Sequence, residues 1–135
     1  VIDRLLIKWE TAKSLVPAPI KDFDKKNKMA ILSLGSCDDA IREARDVMSK
    51  DGQELNYLRV RGFPFSDEVE EFIDAHEMVF IIEQNRDGQL AKLIQTETSC
   101  DNTKLRSLRL YNGIPIFSKD VVAKIMKEIS SGKAA

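Results

Sequence analysis

The sequence predicts an α/β domain in which a mostly parallel sheet is covered by helices on both faces. Short apolar segments alternate with amphipathic segments of helical period along most of the chain. The apolar segments are hydrophobic on consecutive residues, which is typical of strands buried on both faces of a parallel sheet. With 135 residues, of which 43% are hydrophobic, the chain is long enough to bury one core without disulfides or metals.

Residues 1–28 precede this pattern and are expected to form an N-terminal helix and a linker. Apolar residues recur every three or four positions up to Leu15. Pro17 and Pro19 end the helix, because a proline disfavours helical geometry in the residue before it. The charged stretch that follows has no period, as expected for an exposed linker. We therefore assign residues 29–135 to the α/β domain.

This domain contains four apolar segments separated by helical ones. Gly35 ends the first strand, Gly52 stops the helix that follows, and Ser66 is the expected N-cap of the next helix. The predicted strands are residues 29–34, 55–60, 78–82 and 105–111. The predicted helices are residues 38–50, 67–76, 88–96 and 118–129.

Charge and cysteine content exclude several classes of function. The 21 basic and 22 acidic residues nearly cancel, so no global field attracts nucleic acid or an anionic membrane. Cys37, Cys100 and His76 are too few to build an iron–sulfur cluster or a zinc site from this chain alone. No segment is long and apolar enough to span a membrane, and no signal peptide opens the chain, which favours a cytoplasmic protein. The first residue is Val1, so we expect a processed chain or an excised C-terminal piece of a larger protein.

The turn at Gly35 and Ser36 is the first candidate for a phosphate-binding loop. The glycine-rich dinucleotide fingerprint and the P-loop are both absent. Asp38 and Asp39 stand where a bound phosphate would meet the next helix, and two carboxylates there repel an anion. A tight turn is therefore favoured over a nucleotide site.

Polar residues follow the predicted strands at their carboxyl ends, where α/β sheets bind ligands and partners. Arg59 and Arg61 lie on the same side of one strand, and their guanidinium groups need partners. They either line a solvated edge, form an ion pair with Glu83, or contact another domain. Glu83 follows five apolar residues, so we expect it to be partly buried and paired.

The connection after Glu83 is dense in polar residues, with Asn85, Arg86 and Asp87 before Gly88 and Gln89. Short polar side chains of this kind cap helices and bond backbone groups, so a capping loop is favoured over a ligand site. His76 is expected near a helix C-terminus, where the helix dipole favours its charged form. The chain shows no Ser–His–Asp set and no Cys–His pair, and we predict no catalytic, cofactor-binding or metal-binding residue in it.

Several segments together resemble the C-terminal domain of the alpha subunit of 2-oxoacid:ferredoxin oxidoreductases, of the 2-oxoglutarate synthase type. The resemblance covers nearly the whole chain. Its most specific part is the Glu-x-Asn-x-x-Gly-Gln run at residues 83–89. The segments that carry it are residues 8–12, 15–17, 58–61, 64–65, 79–90 and 111–115.

The resemblance implies a transketolase C-terminal-domain-like fold, with about five strands of which one is reversed. The whole enzyme oxidatively decarboxylates a 2-oxoacid, forms an acyl-CoA and reduces ferredoxin. Its thiamine diphosphate and Mg are held by the pyrimidine- and diphosphate-binding domains, and its iron–sulfur cluster by another subunit, so none is expected in this chain.

The implied role of the domain is assembly with the pyrimidine-binding domain of the same subunit and with the beta subunit, and it reaches ferredoxin only through the whole complex. We expect the interface and positioning residues to be Arg59, Arg61, Glu83, Asn85, Arg86, Asp87 and Gln89.

Two alternatives stay open at this point. The first is the equivalent domain of another thiamine enzyme, such as a 2-oxoacid dehydrogenase beta subunit. The second is a stand-alone module resembling a response-regulator receiver. A receiver needs an acidic cluster at the strand ends and a lysine on its last strand. Asp38 and Asp39 follow the first strand of the domain, but residues 111–113 are Tyr-Asn-Gly.

Overall fold

The computed structural model describes residues 1–134, and the side chains of residues 1–132. Short 3₁₀ turns lie at Gly35–Cys37 and Asn102–Lys104. The helices are α1 (Ile2–Leu15), α2 (Asp38–Lys50), α3 (Asp67–Asp74), α4 (Gln89–Glu97) and α5 (Ser118–Ala134). The strands are β1 (Ile20–Asp22), β2 (Met29–Leu34), β3 (Asn56–Val60), β4 (Met78–Glu83) and β5 (Leu105–Arg109).

The five strands form one sheet in the order β1-β3-β2-β4-β5. β2, β3, β4 and β5 run parallel, and β1 pairs antiparallel with the outer side of β3. The predicted α/β architecture, with a mostly parallel sheet of about five strands and one reversed, is confirmed.

The helices cover both faces of the sheet in a way that follows from connection handedness. The crossover from β2 to β3 moves toward the β1 edge of the sheet. The crossovers from β3 to β4 and from β4 to β5 move toward the β5 edge. Because such crossovers are right-handed, this reversal places α2 on one face and α3 with α4 on the other. Alternate strand residues divide accordingly between two cores, as when Ile81 packs with α3 and α4 while Phe80 packs with α2 and α5.

Strand β1 lies inside the stretch that we expected to be a linker. Ile20, Lys21 and Asp22 pair with Arg59, Leu58 and Tyr57 of β3. All three β1 residues are exposed, so no apolar pattern marks them in the sequence. The strand forms because β3 would otherwise leave a row of backbone N–H and C=O groups unpaired at the sheet edge.

Helix α1 lies at the side of this sheet, and none of its residues is buried. Its Trp9 ring meets the ring of Phe63 edge-on, with 5.3 Å between ring centroids. Its remaining large apolar side chains, including Leu5 and Leu6, are exposed. Helix α3 begins after Ser66 as predicted, although the Ser66 hydroxyl makes no capping bond within the described part of the chain.

Candidate functional site at the carboxyl edge of the sheet

The point where strand order reverses lies between β2 and β4. The chain leaves β2 toward β3 and leaves β4 toward β5, in opposite directions. Their loops therefore diverge and leave a crevice at the carboxyl edge, the usual binding position in open α/β sheets. The two loops that face each other are residues 35–37 and 84–88.

Glu83 ends β4 and serves as the N-terminal anion of helix α4. Its Oε1 accepts the backbone N–H of Leu90 at 2.7 Å, and its Oε2 accepts that of Ala91 at 3.0 Å. The side chain is 5% exposed. A carboxylate is stable there because unpaired N–H groups and the helix dipole both favour negative charge. We expected Glu83 to be partly buried and paired; it is buried, and its partners in α4 are backbone donors.

Asn85 ties the same loop together. Its Nδ2 donates to Glu83 Oε1 at 2.7 Å, while its Oδ1 accepts the backbone N–H of Gly88 at 2.7 Å and of Gln89 at 3.3 Å. Gly88 adopts φ 63°, a left-handed conformation in which a side chain is strained. A Cβ at this position would lie only 3.2 Å from Ser107 Oγ. The capping-loop interpretation therefore describes the loop well.

A cavity of about 410 Å³ opens beside this loop. Apolar groups prevail in its lining, and Leu34 at the end of β2 is 48% exposed there. The lining residues are Leu34, Gly35, Ser36, Cys37, Glu83, Gln84, Asn85, Gln89, Leu90 and Leu93. The fold thus unites Glu83, Asn85 and Gln89 with the turn at Gly35 and Ser36.

The two predicted arginines lie elsewhere on the edge. Arg61 Nε donates to the Ala18 carbonyl at 2.6 Å, and Arg59 Nη1 lies 3.8 Å from Asp38 Oδ2. Among the described residues neither forms an ion pair with Glu83, which excludes that one of the three alternatives and leaves a solvated edge or a contact with another domain. The reason is strand order and register. β2 separates β3 from β4, and Arg59 lies in one row with Ser33 and Ile82, so the next residue, Glu83, points to the opposite face of the sheet.

Arg86 and Asp87 form the outer surface of the loop. Arg86 Nε donates to Asp87 Oδ1 at 2.7 Å, and both side chains are at least half exposed. The Arg86 carbonyl accepts a hydrogen bond from Arg109 Nη1 at 2.8 Å, which joins the loop to the end of β5. An exposed pair of this kind adds little to stability, so these charges are available to a partner.

Gln84 is a residue of this site that the sequence did not single out. Its Nε2 donates to the Ile114 carbonyl at 2.9 Å, so it joins the β4 loop to the segment after β5. Burial raises the pKa of Cys37, and a backbone hydrogen bond with Gln84 opposes part of that rise. The available signal was the place of Gln84 in the polar run after β4, but its partners lie on two other loops.

A second polar cluster lies where α2 begins. The Tyr57 hydroxyl donates to Asp38 Oδ1 at 2.8 Å and lies 2.7 Å from the buried Ser33 hydroxyl. Arg42 Nε donates to Asp38 Oδ2 at 3.0 Å. Burial alone would raise the pKa of Asp38, but the hydrogen bonds from Arg42 and Tyr57 outweigh it and the pKa is lowered.

Cys37 and Cys100 are both buried as free thiols. Burial raises the pKa of Cys37, which keeps it protonated and poorly reactive. The described side chains include no set of three or more His, Cys, Asp or Glu arranged to hold a metal ion. None of the helices described is long and apolar enough to cross a membrane.

These features define an α/β domain of the doubly wound class. At the carboxyl edge of its sheet, the N-termini of α2 and α4 are occupied by carboxylates of the domain itself. No protein-family model matches the chain. Over 112 residues, which are 82% of this chain, the sequence is 31% identical to subunit alpha of 2-oxoacid:ferredoxin oxidoreductase 2 from Aeropyrum pernix. The chain is thus homologous to part of a 2-oxoacid:ferredoxin oxidoreductase alpha subunit, which confirms the resemblance. It spans only 17% of that relative's length.

Solved structures show the same fold. 2-oxoglutarate:ferredoxin oxidoreductase from Magnetococcus marinus, solved with 2-oxoglutarate, coenzyme A and succinyl-CoA bound, superposes with a TM-score of 0.78 at 20% identity. That match covers 89% of this chain and 21% of the other. The alpha chain of probable 2-oxoacid ferredoxin oxidoreductase from Thermoplasma acidophilum superposes with a TM-score of 0.54 at 24% identity, over 83% of this chain and 96% of the other.

Proposed function

We propose that this chain is the C-terminal domain of the alpha subunit of a thiamine-diphosphate-dependent 2-oxoacid:ferredoxin oxidoreductase. The parent enzyme would oxidatively decarboxylate a 2-oxoacid such as 2-oxoglutarate to an acyl-CoA and reduce ferredoxin. The carrying observation is homology over 82% of this chain to a small part of an alpha subunit. The domain's role in this proposal is assembly, because the described residues of its carboxyl edge form rigid, charged loops and no catalytic set.

The carboxyl edge does not fit the diphosphate of thiamine diphosphate. Glu83 already occupies the N-terminus of α4, and Asp38 and Asp39 stand in the first turn of α2. A diphosphate at either helix would meet a fixed negative charge where it needs free N–H donors. This supports a thiamine diphosphate and Mg site in other domains of the parent enzyme. We propose that its iron–sulfur cluster lies in another subunit.

The carboxyl edge of the sheet is suited to dock and orient a neighbouring domain. Glu83 and Asn85 hold the loop by five hydrogen bonds, which fixes the direction in which Arg86, Asp87 and Gln89 project. Rigid surfaces lose little conformational entropy when a partner docks. We propose that the pyrimidine-binding domain of the same subunit and the beta subunit are these partners.

Residues 1–28 serve as the connection in this proposal. Helix α1 presents unburied apolar side chains such as Leu5 and Leu6, and Trp9 connects it to Phe63. The Arg61–Ala18 hydrogen bond and the β1–β3 pairing hold the end of this connection on the sheet. Arg61 therefore positions the connection through its side chain, and Arg59 does so through its backbone pairing with Ile20.

Two measurements test the proposal. Calorimetry of the chain with thiamine diphosphate and Mg²⁺ should show no binding, and tight binding would contradict it. In the whole complex, Arg86→Glu should weaken association of the alpha and beta subunits, whereas Lys50→Glu at the opposite end of the sheet should not. If the alpha and beta subunits associate equally well in both variants, Arg86 does not lie in their interface.

Substrate and compartment form the finer part of the proposal. We propose 2-oxoglutarate as the substrate of the parent enzyme and the cytoplasm as its location. The two free, buried cysteines suit a reducing compartment. The holoenzyme should reduce ferredoxin faster with 2-oxoglutarate than with pyruvate, and the reverse preference would contradict the substrate assignment.

A further inference from the structure

His76 is a buried titratable group that the proposed assembly role does not use. It follows α3 and is 2% exposed. Its Nδ1 lies 2.6 Å from the Phe72 carbonyl, an acceptor, so Nδ1 carries the proton. Its Nε2 lies 2.7 Å from Asn56 Nδ2 and must then accept a hydrogen bond. The imidazole is therefore held in one neutral tautomer.

Asn56 connects His76 to the segment after β1 by hydrogen bonds. Its Nδ2 also donates to the Asp24 carbonyl at 2.9 Å, while its Oδ1 accepts the Asp24 backbone N–H at 2.9 Å and Asn27 Nδ2 at 2.9 Å. Both donors and both lone pairs of the amide are thus used. The Asn56 side chain thus binds the Asp24 backbone next to the end of β1, and Asp24 and His76 together fix which way the amide faces.

Protonation of Nε2 is incompatible with this network. It would place an N–H against the Asn56 NH₂ group at 2.7 Å. Turning the amide over would offer its oxygen to His76 but would present its NH₂ to the Asp24 backbone N–H, which is also a donor. The conflict then moves to Asp24, and either arrangement leaves a buried donor without an acceptor.

The surroundings of His76 oppose a positive charge. Phe23 and Phe72 lie edge-on or tilted to the imidazole, with centroid separations of 5.6 and 4.6 Å. Lys104 Nζ donates to the carbonyl of Asp74, at the end of α3. Lys28 and Glu77 form an exposed ion pair at 3.6 Å next to His76 in the chain, and the edge segment carries Asp24, Lys25 and Lys26. Burial, opposed by the Phe72 hydrogen bond and aided by Lys104, lowers the pKa of His76.

We propose that His76 is a pH-sensitive switch for the edge segment, residues 20–27. Protonation of His76 releases Asn56 and so detaches this segment from β3, while the four parallel strands stay folded. The segment joins α1 to the α/β domain, so its release would loosen the connection that the proposed function assigns to residues 1–28. The switch itself rests only on the contacts of His76 and Asn56.

Hydrogen exchange of the full chain tests this between about pH 8 and about pH 5, which lies above the ordinary range of carboxyl groups. After correction for intrinsic exchange rates, protection of residues 20–27 should fall about tenfold per pH unit below the ordinary histidine pKa of 6.5. Protection of β2 and β4 should change far less. A uniform fall across the sheet would overturn the proposal, because it would report global unfolding.

The control variant is His76→Gln, whose amide oxygen can accept from Asn56 but does not titrate. Its edge segment should lose this pH dependence, and an unchanged slope would overturn the proposal. If the variant does not fold, the wild-type chain still decides the matter by NMR, since His76 is its only histidine. The Asp24 amide shift should titrate with the midpoint of the His76 ring, and a different midpoint would refute the coupling.

Discussion

The carboxylate of Glu83 offers the sharpest test of how this edge is held together. In Glu83→Ala the N–H groups of Leu90 and Ala91 lose their acceptor, and Asn85 loses the acceptor for its Nδ2. In Glu83→Gln one amide oxygen remains for one N–H, but the new NH₂ group faces the other. The two variants thus remove different numbers of hydrogen bonds, and Glu83→Gln does so without changing the volume of the side chain.

The magnitude follows from the burial of these donors. A buried N–H left without a partner costs about 1–3 kcal/mol, so the backbone N–H groups of Leu90 and Ala91 together cost about 2–6 kcal/mol in Glu83→Ala. Asn85 is only half-buried, so its Nδ2 can bond to water and is not counted. Glu83→Gln leaves one donor unpaired and should lose about 1–3 kcal/mol. Since a domain of this size is stable by about 5–15 kcal/mol, the alanine variant loses a large share of its stability.

Urea unfolding followed by circular dichroism measures both effects. The matched control is Glu97→Gln at the exposed C-terminal end of the same helix, which should change the free energy of unfolding by no more than about 0.5 kcal/mol. If Glu83→Gln is also within about 0.5 kcal/mol of the wild type, the carboxylate does not hold α4 as described.

Two further perturbations probe neighbouring features. Gly88→Ala should cost more stability than Gly52→Ala, because both glycines have positive φ but only Gly88 faces close neighbours; equal unfolding midpoints would contradict the contact with Ser107. The lowered pKa of Asp38 contributes stability above its ordinary value of 3.8 that is lost as the pH falls through the folded-state value. Asp38→Asn should therefore flatten the acid side of a stability-against-pH curve measured by urea unfolding, and an unchanged acid slope would argue against the Arg42 and Tyr57 bonds.

Local pattern was enough to predict most of the fold. Strands β2 to β4 begin and end within about a residue of their predicted bounds, because a strand buried on both faces must be apolar throughout. The polar run after β4 was likewise recognised as a capping loop, since its short amide and carboxyl side chains bond nearby backbone. The last strand was predicted two residues too long, to 111 instead of Arg109.

Local sequence pattern could not predict contacts between residues that are far apart in the chain. The three polar residues of β1 have no pattern of their own, and only the exposed edge of β3 makes them a strand. His76 was expected to gain a charge from the helix dipole, yet its burial against Phe23 and its bond to Asn56, 20 residues away, keep it neutral.

The sequence by itself determined the class of fold, the run at residues 83–89 and the relatives that share it, since these depend on residue type and local order. Only the tertiary structure decided that Glu83 pairs with the backbone of α4 and not with Arg59 or Arg61. The physical reason is strand order and register: β2 lies between their strands, and Arg59 shares a row with Ile82, so Glu83 points to the other face of the sheet. The chain's hydrophobic pattern specifies that strands pack together, but not which strand lies beside which.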